Sequence, residues 1–135
     1  ISFHKHNSEI FQELKKITNS KISFTFTPHL TQIYRGILST IYLDLKTNFN
    51  IRKISNILKK YHKKNQFIKI LDENTMISTN KVINTNNCLI SICKTDNKNR
   101  IIILYSIDNL IKGGAGQAIQ NMNIIKNFNI NIGLK

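Results

Sequence analysis

The sequence is poor in cysteine, proline, glycine and tryptophan. Among 135 residues there are two cysteines, one proline, five glycines and no tryptophan. The cysteines, Cys88 and Cys93, form neither a disulfide framework nor a zinc signature, because both normally need more cysteines or a second close pair of ligands. We therefore expect two buried, unreactive thiols and no metal site.

Long apolar runs are also absent, and the chain does not open on a charged and then apolar leader. A membrane-spanning helix needs about 20 mostly apolar residues, so the sequence predicts a soluble, cytoplasmic protein without membrane contact. A chain of 135 residues fits one domain. At that size folding buries roughly two-thirds of the surface of the unfolded chain. No repeat or linker is evident, so we expect one compact unit.

Acidic residues are scarce: seven Asp and Glu stand against 20 Lys and Arg, giving a formal net charge of +13. Such a charge is typical of nucleic-acid binding. However, the chain has 17 Lys and only 3 Arg, beside 19 Asn and 26 Ile, a composition that AT-rich codon usage produces without selection for a partner. Arginine is the residue that best grips phosphate and reads guanine. A nucleic-acid-binding module therefore stays as the alternative from another functional class.

The main lysine cluster lies in IRKISNILKKYHKKN, residues 51–65. Its apolar positions Ile51, Ile54, Leu58 and Tyr61 recur at helical spacing, so the lysines fall largely on the opposite side of a predicted helix. A solvated helix face explains this pattern better than a nucleic-acid site does.

The order of predicted elements favours an α+β fold. A helix in NSEIFQELKKIT, capped by Asn7, precedes alternating strand patterns in KISFTFTP, ended by Pro28, and in GILSTIYLDLK. After the lysine-rich helix come three β-branched runs, QFIKIL, CLISICK and RIIILYSI, with a hairpin loop at TDNKN, and a closing helix from Ala115. This order suits a largely antiparallel or mixed sheet covered by helices. A doubly wound domain needs a GxGxxG turn after an early strand, and the sequence has none.

The stretch DNLIKGGAGQAIQNMN, residues 108–123, holds three of the five glycines. Glycines before a helix let a ligand or another backbone approach closely, and the free N–H groups there favour anions by about 0.3 to 1 kcal/mol each. Small residues could equally serve to pack the closing helix tightly against the sheet. The residues alone leave both interpretations open.

Four stretches in order resemble the N-acetyl-gamma-glutamyl-phosphate reductase family, which is related to aspartate-semialdehyde dehydrogenase. The glycine stretch is similar to that family's C-terminal signature, and HKHNSEI to its His-basic-His-x-Pro-Glu-Ile motif. FTPHLTQIYRGIL resembles its Thr-Pro-His-Leu and Arg-Gly-Ile-Leu segment, and VINTNNC matches more weakly. The resemblance implies the substrate, or dimerisation, domain of the semialdehyde dehydrogenase type without its Rossmann domain. Residues 1–112 would form that domain, and 113–135 a helix and tail contacting the enzyme's own N-terminal nucleotide-binding domain.

The reaction that this resemblance implies is the reduction of N-acetyl-glutamyl phosphate by NADPH to N-acetylglutamate semialdehyde, with release of phosphate, in arginine biosynthesis. A nucleophilic cysteine upstream of Ile1 would carry a thioester, and neither Cys88 nor Cys93 matches its position. We expect the chain to be the C-terminal part of a longer homo-oligomeric enzyme and to be inactive alone. Reductases acting on aminoadipyl or aspartyl phosphate are alternatives with the same mechanism.

The resemblance also assigns site residues. His4 is the expected base that takes the proton of the thiol, with His6 and Glu9 orienting it or binding substrate. In an extended segment His4 and His6 would point to opposite sides. Arg35 either binds the substrate's phosphate or carboxylate or pairs with one of the seven acidic residues. Contacts with NADP are expected from Asn109, Lys112, Gly113, Gly114, Gly116 and Gln117.

Overall fold

The computed structural model describes residues 5–46 and 49–135. The chain divides into two compact units, Ile1–Ile33 and Tyr34–Lys135, so the expectation of one compact unit is wrong. Residues 18–36 form neither helix nor strand, and a linker-like composition, which the sequence lacks, is not needed for two parts of a chain to make few contacts with each other. The predicted boundary at residue 112 is not the division between these units and stays a prediction.

The first unit contains helix α1 (Lys5–Ile17). The helix begins earlier than the sequence predicts, because Asn7 lies inside it rather than at its cap, and the Ser8 hydroxyl donates to the Lys5 carbonyl at 2.9 Å. His6 is consequently helical, which corrects the expectation of an extended segment there. No residue of α1 is fully buried.

The predicted strand in KISFTFTP is absent from the described structure. The side of this segment that the alternation predicts to be buried is only partly so, since Ile22 and Phe26 are half-buried but Phe24 is exposed. A strand, however, becomes stable only when its backbone pairs with neighbours, and the sheet is formed by four other strands. Alternation predicted the side-chain pattern but could not predict a pairing partner.

The second unit is an α+β structure, as the sequence predicts, built on a four-stranded mixed sheet. The strand order is β1-β4-β3-β2; β2 runs parallel to β3, and the other two pairings are antiparallel. In chain order the elements are β1 (Ile37–Asp44), α2 (Ile51–Tyr61), β2 (Ile68–Ile70), a 3₁₀ turn (Thr79–Lys81), β3 (Cys88–Lys94), β4 (Arg100–Ile107), a π-helical turn (Ile111–Ala115) and α3 (Gly116–Ile125).

Helix α2 follows the predicted amphipathic pattern. It starts at a capping residue, Asn50, whose side chain accepts a hydrogen bond from the Lys53 amide at 2.9 Å and so satisfies one of the free N–H groups of the first turn. Ile54 and Leu58 are half-buried. Tyr61, which the spacing placed on the apolar side, is instead 78% exposed, because it stands at the last turn of the helix.

The sheet positions the site through the long pairing of β1 with β4, which runs from Ile37 opposite Ile107 to Asp44 opposite Arg100. This register brings residues 35–36, just before β1, next to residues 108–109, just after β4. The apolar side chains buried in the described structure are Phe67, Ile77, Val82, Ile92 and Ile101.

Strand β1 lies at the edge of this sheet and is largely exposed on both of its faces. Its large apolar side chains are between 39% and 65% exposed: Ile37, Leu38, Ile41, Tyr42 and Leu43. Apolar surface of this kind is typical of a contact region.

In the described ranges, no helix is both long and apolar enough to cross a membrane. Within the same ranges, no cluster of three or more His, Cys, Asp or Glu side chains is arranged to hold a metal ion.

Candidate functional site

The carboxylate of Asp108 is the centre of a polar cluster at the end of β4, and its side chain is fully buried. Its Oδ1 accepts the amides of Leu110 and Ile111 at 2.9 and 3.1 Å and Arg35 Nη2 at 2.9 Å. Its Oδ2 accepts the Asn84 amide at 2.7 Å. The carboxylate therefore starts the turn that leads from β4 to α3 by bonding to amides two and three residues ahead.

The pKa of the Asp108 carboxyl lies below its usual value. Burial is the largest influence and by itself raises this pKa, but the hydrogen bond from Arg35 and the backbone bonds from Asn84, Leu110 and Ile111 together outweigh it. Hydrogen bonds to the charged form of a carboxyl favour that form. Asp108 is consequently a fixed negative charge at neutral pH.

Arg35 gives only part of its guanidinium to this cluster. Besides the bond to Asp108, Nη1 donates to Asn84 Oδ1 at 3.2 Å, and the side chain is 14% exposed. Its Nε is buried and has no hydrogen-bond partner among the residues that the structure describes. Pairing with an acidic residue, one of the two alternatives that the sequence left open, is thus observed. Binding of a substrate anion through the remaining donors stays a prediction.

Gly36 and Asn109 lie beside this ion pair. The Gly36 amide donates to Asn109 Oδ1 at 2.7 Å. Gly36 has a φ of +107°, and an added Cβ would lie 2.9 Å from the Cβ of Thr79, so both backbone conformation and space require glycine. The Oδ1 atom of Asn109 therefore already has a partner within the chain, and a cofactor contact by Asn109 stays a prediction.

The glycines that follow fall into two groups. Gly116 is buried, and a Cβ there would lie 2.5 Å from Ile111 Cγ2 and 2.6 Å from Asn86 Oδ1. Gly113 and Gly114 are exposed, and added Cβ atoms would meet other atoms only at 3.5 Å or beyond. Tight packing therefore explains Gly116, whereas close approach of a ligand fits Gly113 and Gly114. A cofactor contact by Gly116 stays a prediction, and its packing does not favour it.

Lys112 is turned towards the sheet. Its Nζ donates to Gln120 Oε1 at 2.8 Å and lies 5.6 Å from the centre of the Phe67 ring. Gln120 Oε1 also accepts Asn86 Nδ2 at 2.8 Å. Burial lowers the pKa of Lys112, against the opposing influence of Cys88. These contacts tie the turn to α3, and a cofactor contact by Lys112 stays a prediction.

Gln117 lies on the first turn of α3. Its Nε2 donates to Asn121 Oδ1 at 2.9 Å, one helical turn further on. This i, i+4 pair occupies part of the carboxamide, so the predicted cofactor contact of Gln117 also remains untested.

The two cysteines are free and lie on β3, and both are half-buried, so the expectation that they are buried is wrong. Burial raises the pKa of the Cys88 thiol, even though the positive charge of Lys112 acts in the opposite direction. A protonated thiol is a poor nucleophile, which agrees with the expectation that Cys88 is unreactive.

Of the remaining predicted residues, His4 lies outside the described part of the chain. His6 and Glu9 are exposed and three positions apart on α1, a spacing that places both on one helix face. The His6 ring lies 6.2 Å from the Phe26 ring, at an angle of 58°. Their catalytic and substrate-binding roles stay predictions.

Asn84 and Asp108 are the residues whose importance sequence reasoning missed. Asn84 has a φ of +62°, a left-handed conformation that asparagine and glycine adopt most readily. A hint was available, because Asp108 is the sole acidic residue in the glycine stretch. The contacts themselves join Arg35 to residues 49 and 73 positions away, and no local pattern predicts such pairings.

Comparison with known proteins agrees with this structure. Residues 1–109 match the family model described as semialdehyde dehydrogenase, dimerisation domain. The chain is 46% identical over 134 residues to N-acetyl-gamma-glutamyl-phosphate reductase of Clostridium botulinum (strain Eklund 17B / Type B), covering 99% of this chain and 39% of that protein. It is 40% identical over 135 residues to the protein of the same name from Staphylococcus aureus (strain MRSA252), covering 100% and 39%.

The corresponding reductase of Vesicomyosocius okutanii is 43% identical over 132 residues, which cover 98% of this chain and 37% of that protein. The chain thus spans less than half the length of the relatives that it matches. These matches confirm the resemblance seen in the four sequence stretches. The chain belongs to the semialdehyde dehydrogenase dimerisation-domain family, with proteins named N-acetyl-gamma-glutamyl-phosphate reductase among its relatives.

Proposed function

We propose that this chain is the substrate and dimerisation portion of an NADPH-dependent N-acetyl-gamma-glutamyl-phosphate reductase of arginine biosynthesis. The enzyme would convert N-acetyl-glutamyl 5-phosphate to N-acetylglutamate 5-semialdehyde and phosphate. The supporting observation is 40% to 46% identity, over 98% to 100% of the chain, to proteins of that name. Those proteins are longer, since the matched part is 37% to 39% of their length. We assign the nucleotide-binding domain and the nucleophilic cysteine to the remainder.

Part of this chain fits a nicotinamide dinucleotide that is bound mainly by another domain. Gly113 and Gly114 are exposed, and added Cβ atoms there would meet other atoms only at 3.5 Å or beyond. The Asn109 side chain lies beside Gly113. Gly116 offers no such space, because Asn86 and Ile111 fill it. When bound, the dinucleotide supplies the hydride that reduces the acyl group. The residues of this chain would only position the dinucleotide, through close contact with the backbone and through the side-chain amide of Asn109.

We assign the proton transfer to His4, with His6 and Glu9 orienting its ring or binding substrate. The proposed chemistry needs a thiolate, and a nearby imidazole provides one by accepting the thiol proton. Positioned acid–base catalysis of this type contributes about 10² to 10⁴ in rate. Arg35 would bind an anionic group of the substrate through the guanidinium donors that its contacts within the chain leave over.

We also propose that the active, cytoplasmic form is a homo-oligomer, with β1 in the subunit interface. The supporting observation is the exposure of large apolar side chains on this edge strand, 50% for Leu38 and 65% for Tyr42. Exposed apolar surface is typical of a contact region, since water contact with it is unfavourable. Replacement of Leu38 by lysine should shift the full-length protein towards monomers in sedimentation velocity, whereas the exposed polar residue Lys98 should tolerate replacement by glutamate.

The activity test is the reverse reaction of the full-length protein. Phosphate-dependent formation of NADPH should occur with N-acetylglutamate semialdehyde, at a kcat/KM above that for aspartate semialdehyde or aminoadipate semialdehyde. A higher value for either comparison substrate would reject the substrate assignment but keep the reaction class. Inactivity on all three, together with duplex-DNA affinity that falls steeply as salt rises, would favour the nucleic-acid-binding alternative.

The role of His4 has its own test. His4→Asn in the full-length protein should slow thioester formation by about 10² or more in single-turnover experiments. His62→Asn is the matched control, because His62 bonds to Asn65 at the end of α2 and has no proposed role in the reaction. Equal single-turnover rates for the two variants would reject the assignment of His4 as the base.

A further inference from the structure

We propose that Asn84 and Asp108 are positioning residues for Arg35. Together they form a cradle of two oxygen acceptors that fixes the guanidinium so that its remaining N–H donors face an anionic group of the substrate. This inference rests on the proposed function, but the binding of an anion by Arg35 can be measured without catalysis.

The geometry of the cradle comes from a closed ring of hydrogen bonds. Arg35 Nη2 donates to Asp108 Oδ1 at 2.9 Å, and Nη1 donates to Asn84 Oδ1 at 3.2 Å. The third bond joins the two acceptors, because the Asn84 amide donates to Asp108 Oδ2 at 2.7 Å. Each of the three residues is therefore held by the other two, although they come from three separate segments of the chain.

The number of donors decides what the cradle leaves free. A guanidinium carries five N–H groups in one plane, and two contacts on different nitrogens fix the direction of the others. Asp108 and Asn84 take one N–H from each terminal nitrogen, so three remain, including the buried Nε–H, for which the described part of the chain supplies no partner. Arg35 is 14% exposed at its side chain, so the guanidinium is only partly closed off from solvent. A planar group held in this way is preorganised for a carboxylate or phosphate.

Asn84 allows positioning to be separated from stability. Its φ of +62° is a conformation that glycine adopts at no steric cost, and its bond to Asp108 comes from the backbone amide. Asn84→Gly therefore retains the backbone conformation and that bond and removes only the oxygen that holds Arg35 Nη1. Asn127→Gly is the matched control, since Asn127 has a φ of +56° and follows α3, where its amide bonds to the Ile124 carbonyl.

The experiment measures anion binding and kinetics in the full-length protein. Isothermal titration with inorganic phosphate and, separately, with N-acetylglutamate tests the phosphate and the carboxylate as the group that Arg35 binds. We expect Asn84→Gly to weaken one of the two about three- to tenfold, the effect of losing one hydrogen bond of ordinary strength. If phosphate is the anion affected, the KM for phosphate should rise by a similar factor; if it is the carboxylate, the KM for N-acetylglutamate semialdehyde should rise. The kcat, the NADP affinity and the melting temperature should stay close to those of the unmodified protein. Asn127→Gly should change none of these quantities.

A double-mutant cycle shows whether Asn84 acts through Arg35. In an Arg35→Lys background, which replaces the planar fork by a single ammonium, Asn84→Gly should cause no further loss of anion affinity. An undiminished loss in that background would overturn the inference. A lowered melting temperature with unchanged anion affinities would also overturn it, because Asn84 would then be structural only.

These measurements distinguish rejection of the proposed function from rejection of the inference. If the unmodified protein binds phosphate or N-acetylglutamate and Asn84→Gly weakens that binding, but no reductase activity is found, the cradle stands and the reaction is rejected. If the unmodified protein binds neither anion, Arg35 has no anion to receive and the inference is rejected whatever the activity.

Discussion

The pairing of β1 with β4 ends in an arginine–aspartate pair on both sides, and the two ends differ mainly in burial. At the first end Arg35 donates a single bond to Asp108, with side chains 14% and 0% exposed. At the second end Arg100 holds Asp44 by two bonds, Nε to Oδ1 at 2.7 Å and Nη2 to Oδ2 at 3.0 Å, with side chains 46% and 70% exposed. The better hydrogen-bond geometry is thus at the exposed end.

This difference shows that bond geometry alone does not identify the important ion pair. Water and salt compete with the exposed pair, and such pairs contribute little to stability. A buried charge, by contrast, must be fully compensated, because an unpaired charge in a low dielectric is costly. Asp108 accordingly accepts hydrogen bonds from three backbone amides in addition to Arg35. This end of the β1–β4 pairing is also the one that continues into the turn from β4 to α3, which contains Gly113 and Gly114.

The largest loss of stability should come from removing the buried ion pair between Arg35 and Asp108, at the first end of the β1–β4 pairing. Asp108→Ala leaves the half-buried Arg35 guanidinium without its counter-charge and three amides without their acceptor, so the full-length protein should lose about 3 to 5 kcal/mol of stability. Denaturant unfolding measures this loss. Asp96→Ala is the control, because Asp96 is an exposed residue of the β3–β4 loop and its removal changes the net charge equally. Similar losses in the two variants would show that the cluster does not hold this end together.

A second large effect is expected at Gly36, which belongs to the buried end. Gly36→Ala combines a φ of +107° with a Cβ placed 2.9 Å from Thr79 Cβ, so we expect a loss of about 2 kcal/mol or more. Gly133→Ala, at a φ of +73° and with its nearest contact at 3.8 Å, should show the backbone cost alone. Equal denaturant midpoints for both variants would mean that Thr79 moves aside without cost.

Acid should weaken the buried end. The pKa of Asp108 is lower in the folded protein than in the unfolded chain, where it is about 3.9. The stability that follows from this difference is fully present above the unfolded pKa and is lost as pH falls through the folded one. The unmodified protein should therefore be more stable than Asp108→Asn at neutral pH, and their urea midpoints should converge below about pH 4. A gap that stays constant down to acid unfolding would contradict this linkage.

The sequence predicted most of the second unit and only half of the site. The spacing of apolar residues along the sequence predicts strands β1, β3 and β4 and helices α2 and α3, and packing in the second unit does not override it. The first unit departs from prediction, because the alternation at Ile22, Phe24 and Phe26 has no strand to pair with in the described structure. In the site, Arg35 and the glycines were found by motif. The sequence does not predict the cradle around Arg35, because the cradle depends on the register of β1 with β4, which places residue 35 beside residue 108.

The smallest effect should come from breaking the exposed end. The hydrogen bond from Arg100 lowers the pKa of Asp44, with a smaller opposing effect of burial, but both side chains remain in water. Asp44→Asn should leave the denaturant midpoint of the full-length protein nearly unchanged, and any difference should disappear as salt is added. Asp108→Asn, measured at the same salt concentrations, should retain its large effect because the Asp108 side chain is fully buried. If Asp44→Asn destabilised the protein as much as Asp108→Asn, bidentate geometry rather than burial would determine which end of the ladder matters.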